Sequence, residues 1–290
     1  MAARPVDAHI HVWSEDLERY PLAPGFAAAD LWRPSFTPEE YFAYAPAGTR
    51  VNLVQMTWYG LDHSYIADLV AGAPETFAGT GVVPAVSDVS LAPPDKSMRA
   101  LERRGIVAFR IRGASAQPDW EKPARWLDQP GYERMFACGA DRNLALSFLC
   151  GPADLPEIGR MCGRFPRTPV VIDHFGGVRV RGGAADAAGL AALCDLAQYP
   201  RVMVKLGPLH GLGEGPYPFA EMRGLLRPVV AAFGAGRCMW ESDSGGPLWM
   251  EEPGRDYAAS VALIAEDDAY SEAEKALLLG GTAAGLFFDR

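Results

Sequence analysis

Short β-branched runs alternate with stretches of helical period along the whole chain. The runs fall at 5–12, 50–56, 79–85, 106–112, 144–150, 169–173, 201–206 and 237–240. The apolar residues recur at helix-face spacing over 62–73, 95–104, 130–141, 152–165, 186–198, 220–233, 256–266 and 271–279. An Asp at 62 caps the first of these helices, Gly105 closes the second, and Ser271 with Glu274 opens the last with a capping box. Only the first run lacks a clear helix before the second. Residues 14–49 are rich in Pro and aromatics there, with a short helix expected near 38–44.

Eight strands alternating with helices predict an α/β chain folded as a (β/α)8 TIM barrel, a single domain over residues 1–290. An open doubly wound sheet would carry a glycine-rich phosphate loop after its first strand. This chain has Val12-Trp13-Ser14-Glu15 instead. No low-complexity linker and no solenoid repeat interrupts the pattern. A barrel keeps its chemistry at the C-terminal ends of its strands, so the polar residues there are the candidates.

The first run ends Asp7-Ala8-His9-Ile10-His11. Strand alternation places Asp7, His9 and His11 on one face, where paired imidazoles suit a metal or proton transfer. The sixth ends Asp173-His174-Phe175-Gly176-Gly177, an Asp-His pair closing an apolar run. The eighth runs into Glu241-Ser242-Asp243, with both carboxylates on one face. Two nearby carboxylates push one pKa upward, which suits a general base. The bland alternatives are a satisfied core histidine at His174 and a structural salt bridge at Glu241.

The charge balance narrows the partners. Lys+Arg 27 against Asp+Glu 36 leaves a net −9, which argues against nucleic acid and anionic membranes and for a small-molecule substrate. No apolar run is long enough to span a bilayer, and the N-terminus lacks a signal peptide's apolar stretch. Five scattered cysteines without a CxxC pair fit a reducing, cytoplasmic setting. A homo-oligomer is left open.

With HxH after strand one, DHFGG after strand six and the aspartate of MWESDSGGP, the chain resembles the amidohydrolase superfamily. More narrowly it resembles the amidohydrolase-2 branch of dicarboxylate and sugar lactonases and related non-oxidative decarboxylases. VNLVQMTWYGLDHSY, IVAFRIRG, VMVKLGPL and GGTAAGLFF extend the likeness over essentially the whole chain. The resemblance implies that His9 and His11 are the first-strand histidines. It implies that Asp243 deprotonates the hydrolytic water and that His174 sits beside the substrate carbonyl. It also implies one divalent metal, zinc foremost, on His9, His11 and Asp243; some lactonases of the branch work without metal.

The departures are specific. Metal-dependent relatives place a carboxylate or carbamylated lysine on strand four and a histidine on strand five. Here strand four carries Arg110 and Arg112, and strand five has no histidine. The usual Gly-Ser-Asp-Trp-Pro is replaced by Glu241-Ser242-Asp243-Ser244-Gly245.

Arg110 and Arg112 share a strand face and match a substrate carboxylate, with Glu241 or Asp173 as competing internal anions. Lys205 lies in an apolar run and needs a buried anion, for which Glu241 is the expected partner. Tyr59 and Glu241 are expected to line the substrate site, with Asp62, His63, Trp13, Trp58 and Trp249 near the mouth; capping of the following helix is the equal alternative for His63, and packing the commoner one for the tryptophans. His210 falls on a loop after the seventh strand, with the surface as its default place. The leading expectation is a hydrolase opening a carboxylated lactone. The alternatives are a non-oxidative decarboxylase of a hydroxy-carboxylate, against which the missing strand-five histidine counts, and a catalytically inactive binding barrel.

Overall fold

The computed structural model describes residues 4–84, 92–113 and 123–290. Eight parallel strands follow one another in chain order around a nearly closed barrel. They are β1 (Val6–Ile10), β2 (Arg50–Val54), β3 (Phe77–Gly81), β4 (Ile106–Arg112), β5 (Ala145–Leu149), β6 (Val170–Ile172), β7 (Val202–Leu206) and β8 (Cys238–Trp240). The main surrounding helices are α1 (Pro38–Phe42), α2 (Ser64–Gly72), α3 (Pro94–Glu102), α4 (Pro130–Arg142), α5 (Leu155–Arg164), α6 (Ala187–Asp195), α7 (Arg223–Phe233) and α8 (Pro253–Ala265). No helix among the described residues is long and apolar enough to cross a membrane.

Most strands are the expected runs trimmed at their ends, and β4 is unchanged. β3 departs. It begins at Phe77, where Phe77 and Ala78 pair with Val51 and Asn52, and it ends at Gly81. The β-branched Val82 and Val83 drew the sequence reading downstream; residue 85 lies outside the described residues. A Cβ at Gly79 would strike the Ile106 side chain, so glycine there lets β4 approach. The stretch 271–279 also departs. It splits into Glu272–Ala276 and a π-turn, Leu277–Gly281, followed by a further helix, Thr282–Phe287. Asp62 does not cap α2 from the N-cap position, which His63 holds; its Oδ1 accepts from Ser64 N at 2.9 Å. A small antiparallel hairpin of Val180–Arg181 and Ala184–Ala185 was not expected; Gly182 and Gly183 turn it at φ 55° and 79°.

Ala8, Ala78, Ala108 and Ala145 pack with Val171 and Met239 inside the barrel, with Ala283, Leu286 and Phe287 joining them from the C-terminal helix. These small residues fill the lower barrel, and the polar groups stack above it. The β1–β8 seam has no regular ladder. It is held by His11 N to Ser244 O at 2.8 Å and Asp243 N to His9 O at 3.0 Å.

Asp7 corrects the expected face. β1 carries an extra residue against β2, with Asp7 opposite Val51 but Ile10 opposite Leu53. That bulge breaks the alternation. Asp7 therefore leaves the histidines and accepts from Tyr41 Oη at 3.0 Å and Ser242 N at 3.0 Å. It locks the seam instead of lining the site, and burial raises its carboxyl to about 7 against those hydrogen bonds.

Candidate active site

His9 is the hub. Its Nε2 lies 3.2 Å from His11 Nε2, 3.1 Å from Arg110 Nη2 and 3.6 Å from Asp243 Oδ1. Its Nδ1 lies 3.0 Å from Glu241 Oε2 and 3.2 Å from Lys205 Nζ. The His174 ring centroid is 4.7 Å from that of His9. His9, His11, His174 and Asp243 thus meet at one end of the barrel.

Unusual backbone aims two of these groups. His174 and Phe175 adopt φ 54° and 52° and lead into Gly176 and Gly177 at 62° and 72°. Asp243 adopts φ 53°. Left-handed conformations cost a side-chain-bearing residue free energy and cluster at functional sites. Gly246 makes room for the result, since a Cβ there would run into the Asp243 carboxylate.

Below the histidines lies a buried ion cluster. Asp173 Oδ1 is 2.9 Å from Lys205 Nζ and accepts from Ser147 Oγ at 2.7 Å, while its Oδ2 is 3.2 Å from Arg110 Nη2. This corrects the expected Lys205–Glu241 pair. Asp173 is also the internal anion that takes Arg110. Burial would raise the Asp173 carboxyl, but Lys205 and Arg110 hold it far below the ordinary range. Glu241 instead accepts from His174 N at 3.2 Å and lies 2.6 Å from His174 Nδ1.

The electrostatics divide the histidines. Burial, then Lys205 and Arg110, push the His9 imidazole well below its usual value; burial and Arg110 do the same to His11. Burial also pulls His174 down, yet Glu241 and Asp243 more than reverse it, and it rises to about 8. Asp243 is raised by burial to about 6, with His174 pulling it down and Glu241 pushing it up.

The upper triangle fits a cation. His11 Nδ1 faces Val54 O at 2.9 Å, so Nδ1 carries the proton and Nε2 is left as a lone pair. The edges between His9 Nε2, His11 Nε2 and Asp243 Oδ1 are 3.2, 3.6 and 3.7 Å. Ligands about 2.0–2.1 Å from a tetrahedral zinc stand roughly 3.3 Å apart. Asp243 Oδ1 is buried without a hydrogen-bond partner, as a coordinating oxygen would be. His9, His174 and Glu241 form a second group with ligand-type atoms close together.

The remaining expected residues scatter. Tyr59 is buried, its hydroxyl accepts from Ser14 N at 3.0 Å, and it does not line the cavity that Asp243 lines. Arg112 is exposed and donates to Thr57 Oγ1. His63 faces Leu61 O at 2.8 Å and accepts from Val82 N at 2.9 Å, a structural clasp. Trp13 and Trp58 are buried packing residues. Trp249 lines a cavity of about 320 Å³ that Asp243, Phe36, Tyr44, His210 and Arg33 also line. Sequence reasoning missed Arg33 and Ser147. Neither sits in a motif, and only the apolar run around Lys205 signalled that a buried anion cluster existed.

Residues 6–288 match the family model for amidohydrolases. A stretch of 119 residues is 33% identical to the L-fucono-1,5-lactonase of Burkholderia ambifaria; it covers 41% of this chain and only 40% of that enzyme. Among solved structures, a zinc-bound amidohydrolase from Burkholderia multivorans aligns with a TM-score of 0.77 at 22% identity, over 98% of this chain and 99% of that one. The probable 2-pyrone-4,6-dicarboxylic acid hydrolase of Acinetobacter baumannii, with citric acid bound, aligns at 0.74 and 20% identity over 99% of both chains. At these identities the structural matches establish a shared barrel.

Proposed function

Since the chain belongs to the amidohydrolase family of hydrolases, we propose that it opens a small carboxylated lactone by attack of a water that Asp243 deprotonates. The observation that carries this reading is Asp243 itself. It is a carboxylate raised to about 6, with a buried unpartnered oxygen, lining a cavity beside three imidazoles. A base of that strength is ionised at neutral pH and still accepts a proton from water.

The steps balance on this chain's own groups. Asp243 takes a proton as the water oxygen bonds to the ring carbonyl carbon. The His174 imidazolium, held by Glu241, and the Arg110 guanidinium stabilise the oxyanion. The ring C–O bond then breaks, and its alkoxide recovers the proton from Asp243. The aromatic cavity wall around Trp249 holds the rest of the substrate. A divalent ion held by His9, His11 and Asp243 would supply carbonyl polarisation when bound. We read residues 1–290 as one catalytic domain, acting in the cytoplasm on a small molecule. The free state of all five cysteines supports that compartment.

Arg110 limits the metal count. With Lys205 it crowds His9 with fixed positive charge: Lys205 Nζ stands 3.2 Å from His9 Nδ1, on the side of the second group with His174 and Glu241, where a further cation would be repelled. Protein purified without chelators is expected to carry at most one zinc per chain by mass spectrometry, and His11→Ala is expected to lose it. Two equivalents per chain would contradict this arrangement.

The function itself is tested with a panel of lactones, with and without carboxylates, in a pH-indicator assay. Ring opening yields an acid that releases a proton. We expect a carboxylated lactone to be opened with kcat/KM of about 10⁴ M⁻¹s⁻¹ or more. Release of CO2 from a hydroxy-carboxylate, with every lactone left intact, would replace this reading with decarboxylation. Binding without turnover of either class would leave only a binding barrel.

A further inference from the structure

We propose that Arg33, stacked on Trp249, forms a subsite for the carboxylate of the substrate, on the β1-loop side of the cavity and apart from the strand-four arginines. This rests on the lactonase reading of Asp243 and adds where the substrate's charge is read.

Arg33 and Asp243 line the same cavity. The Arg33 guanidinium lies 4.4 Å from the Trp249 ring centroid. Trp249 is itself fixed by edge contacts to Trp13 at 6.1 Å, Trp32 at 6.1 Å and Phe36 at 5.9 Å. The Arg33 carbonyl accepts from Trp13 Nε1 at 2.9 Å, which anchors the backbone beneath the side chain. A planar guanidinium held flat on a rigid indole loses little freedom when it meets a carboxylate.

The charge inventory favours an external anion. Arg110 is already paired with Asp173 at 3.2 Å. Arg112 is bonded to Thr57. Arg33 is exposed and pairs with no carboxylate among the described residues. The acid beside it in the cavity wall, Glu40, is held elsewhere. Glu40 Oε2 accepts from Thr37 N at 2.7 Å and Ser35 Oγ at 3.2 Å, closing a helix cap. In a chain of net charge −9, an arginine without an internal acid, at a cavity that also holds the proposed base, is suited to an incoming anion. The ligand class is a small cyclic ester with an exocyclic carboxylate. The ring would lie against the aromatic wall and the carboxylate on Arg33.

The test compares wild type with Arg33→Gln and Arg33→Lys on two probes. One is the dianionic 2-pyrone-4,6-dicarboxylate and the other the neutral L-fucono-1,5-lactone. Affinity for the dicarboxylate is measured by calorimetry on Asp243→Asn protein, with and without Arg33→Gln, and turnover is measured separately. Arg33→Gln is expected to weaken dicarboxylate binding about tenfold to a hundredfold. The dicarboxylate-to-neutral ratio of kcat/KM is expected to fall by a similar factor, mostly through KM, and Arg33→Lys to recover part of it. Dicarboxylate affinity unchanged by Arg33→Gln, a loss equal on both probes, or no dicarboxylate binding at all would overturn the subsite. Arg33-dependent binding without turnover of any lactone would instead overturn the proposed reaction and leave the anion subsite standing.

Discussion

Asp243→Asn is expected to lower lactone turnover about a hundredfold or more, the scale of a lost general base, while the protein stays folded. The geometry explains why the fold should survive. The side chain donates nothing to the barrel ladder, and its Oδ1 has no hydrogen-bond partner to lose. The sign of the titration agrees. Burial raises the folded carboxyl to about 6, so its favourable contribution is full below the unfolded value near 4 and is lost as pH climbs through 6. At pH 8 the ionised Asp243 is therefore a net cost that asparagine does not carry, and the metal-stripped variant should melt at or above metal-stripped wild type. Turnover of the metal-stripped wild type should rise with pH through about 6 as the base ionises. Melting and turnover must be measured on the same preparations. A folded Asp243→Asn protein with near-normal turnover would remove Asp243 from the base role.

How much of this was legible depended on whether the signal was local. The His9 and His11 pair, the DHFGG turn and Asp243 could be found because each ends an apolar run, where a barrel presents function. β4 was read to the residue because Gly105 closes the preceding helix and the apolar run Ile106-Val107-Ala108-Phe109 follows at once. Asp7 was misplaced because alternation assumes no bulge, and the extra residue between Asp7 and Ile10 is set by pairing with β2. The partner of Lys205 was misread for a different reason. β7 lies between β6 and β8, and each neighbour offers a carboxylate at its end, Asp173 and Glu241. Strand spacing cannot choose between them. The left-handed backbone after β6 does, by turning His174 toward Glu241 and leaving Asp173 to the lysine. Arg33 was invisible because its role needs the fold of the long 14–49 segment, which has no period to read.

Removing Asp173 should do to the scaffold what removing Asp243 does to the chemistry. Among the described residues Asp173 is the single carboxylate within 3.2 Å of both Lys205 and Arg110, and Asp173 and Lys205 are completely buried. Asp173→Asn keeps the shape but leaves two buried cations facing each other across a neutral amide. Breaking a buried pair from one side costs about 3–5 kcal/mol, because the stranded charge keeps its desolvation penalty. For a chain of this size that is a melting loss on the order of 10 °C. The pH dependence has the opposite sign to that of Asp243. A carboxyl held below its unfolded value stabilises fully above pH about 4, and loses that contribution only as acid approaches its depressed folded value. The discriminating measurement is the double variant. If stranded charge is the cause, Lys205→Met added to Asp173→Asn should recover several degrees, since it removes one of the two uncompensated cations. If Asp173 mattered only as a hydrogen-bond acceptor for Ser147, the second substitution would add its own packing loss and the double variant would melt lower still.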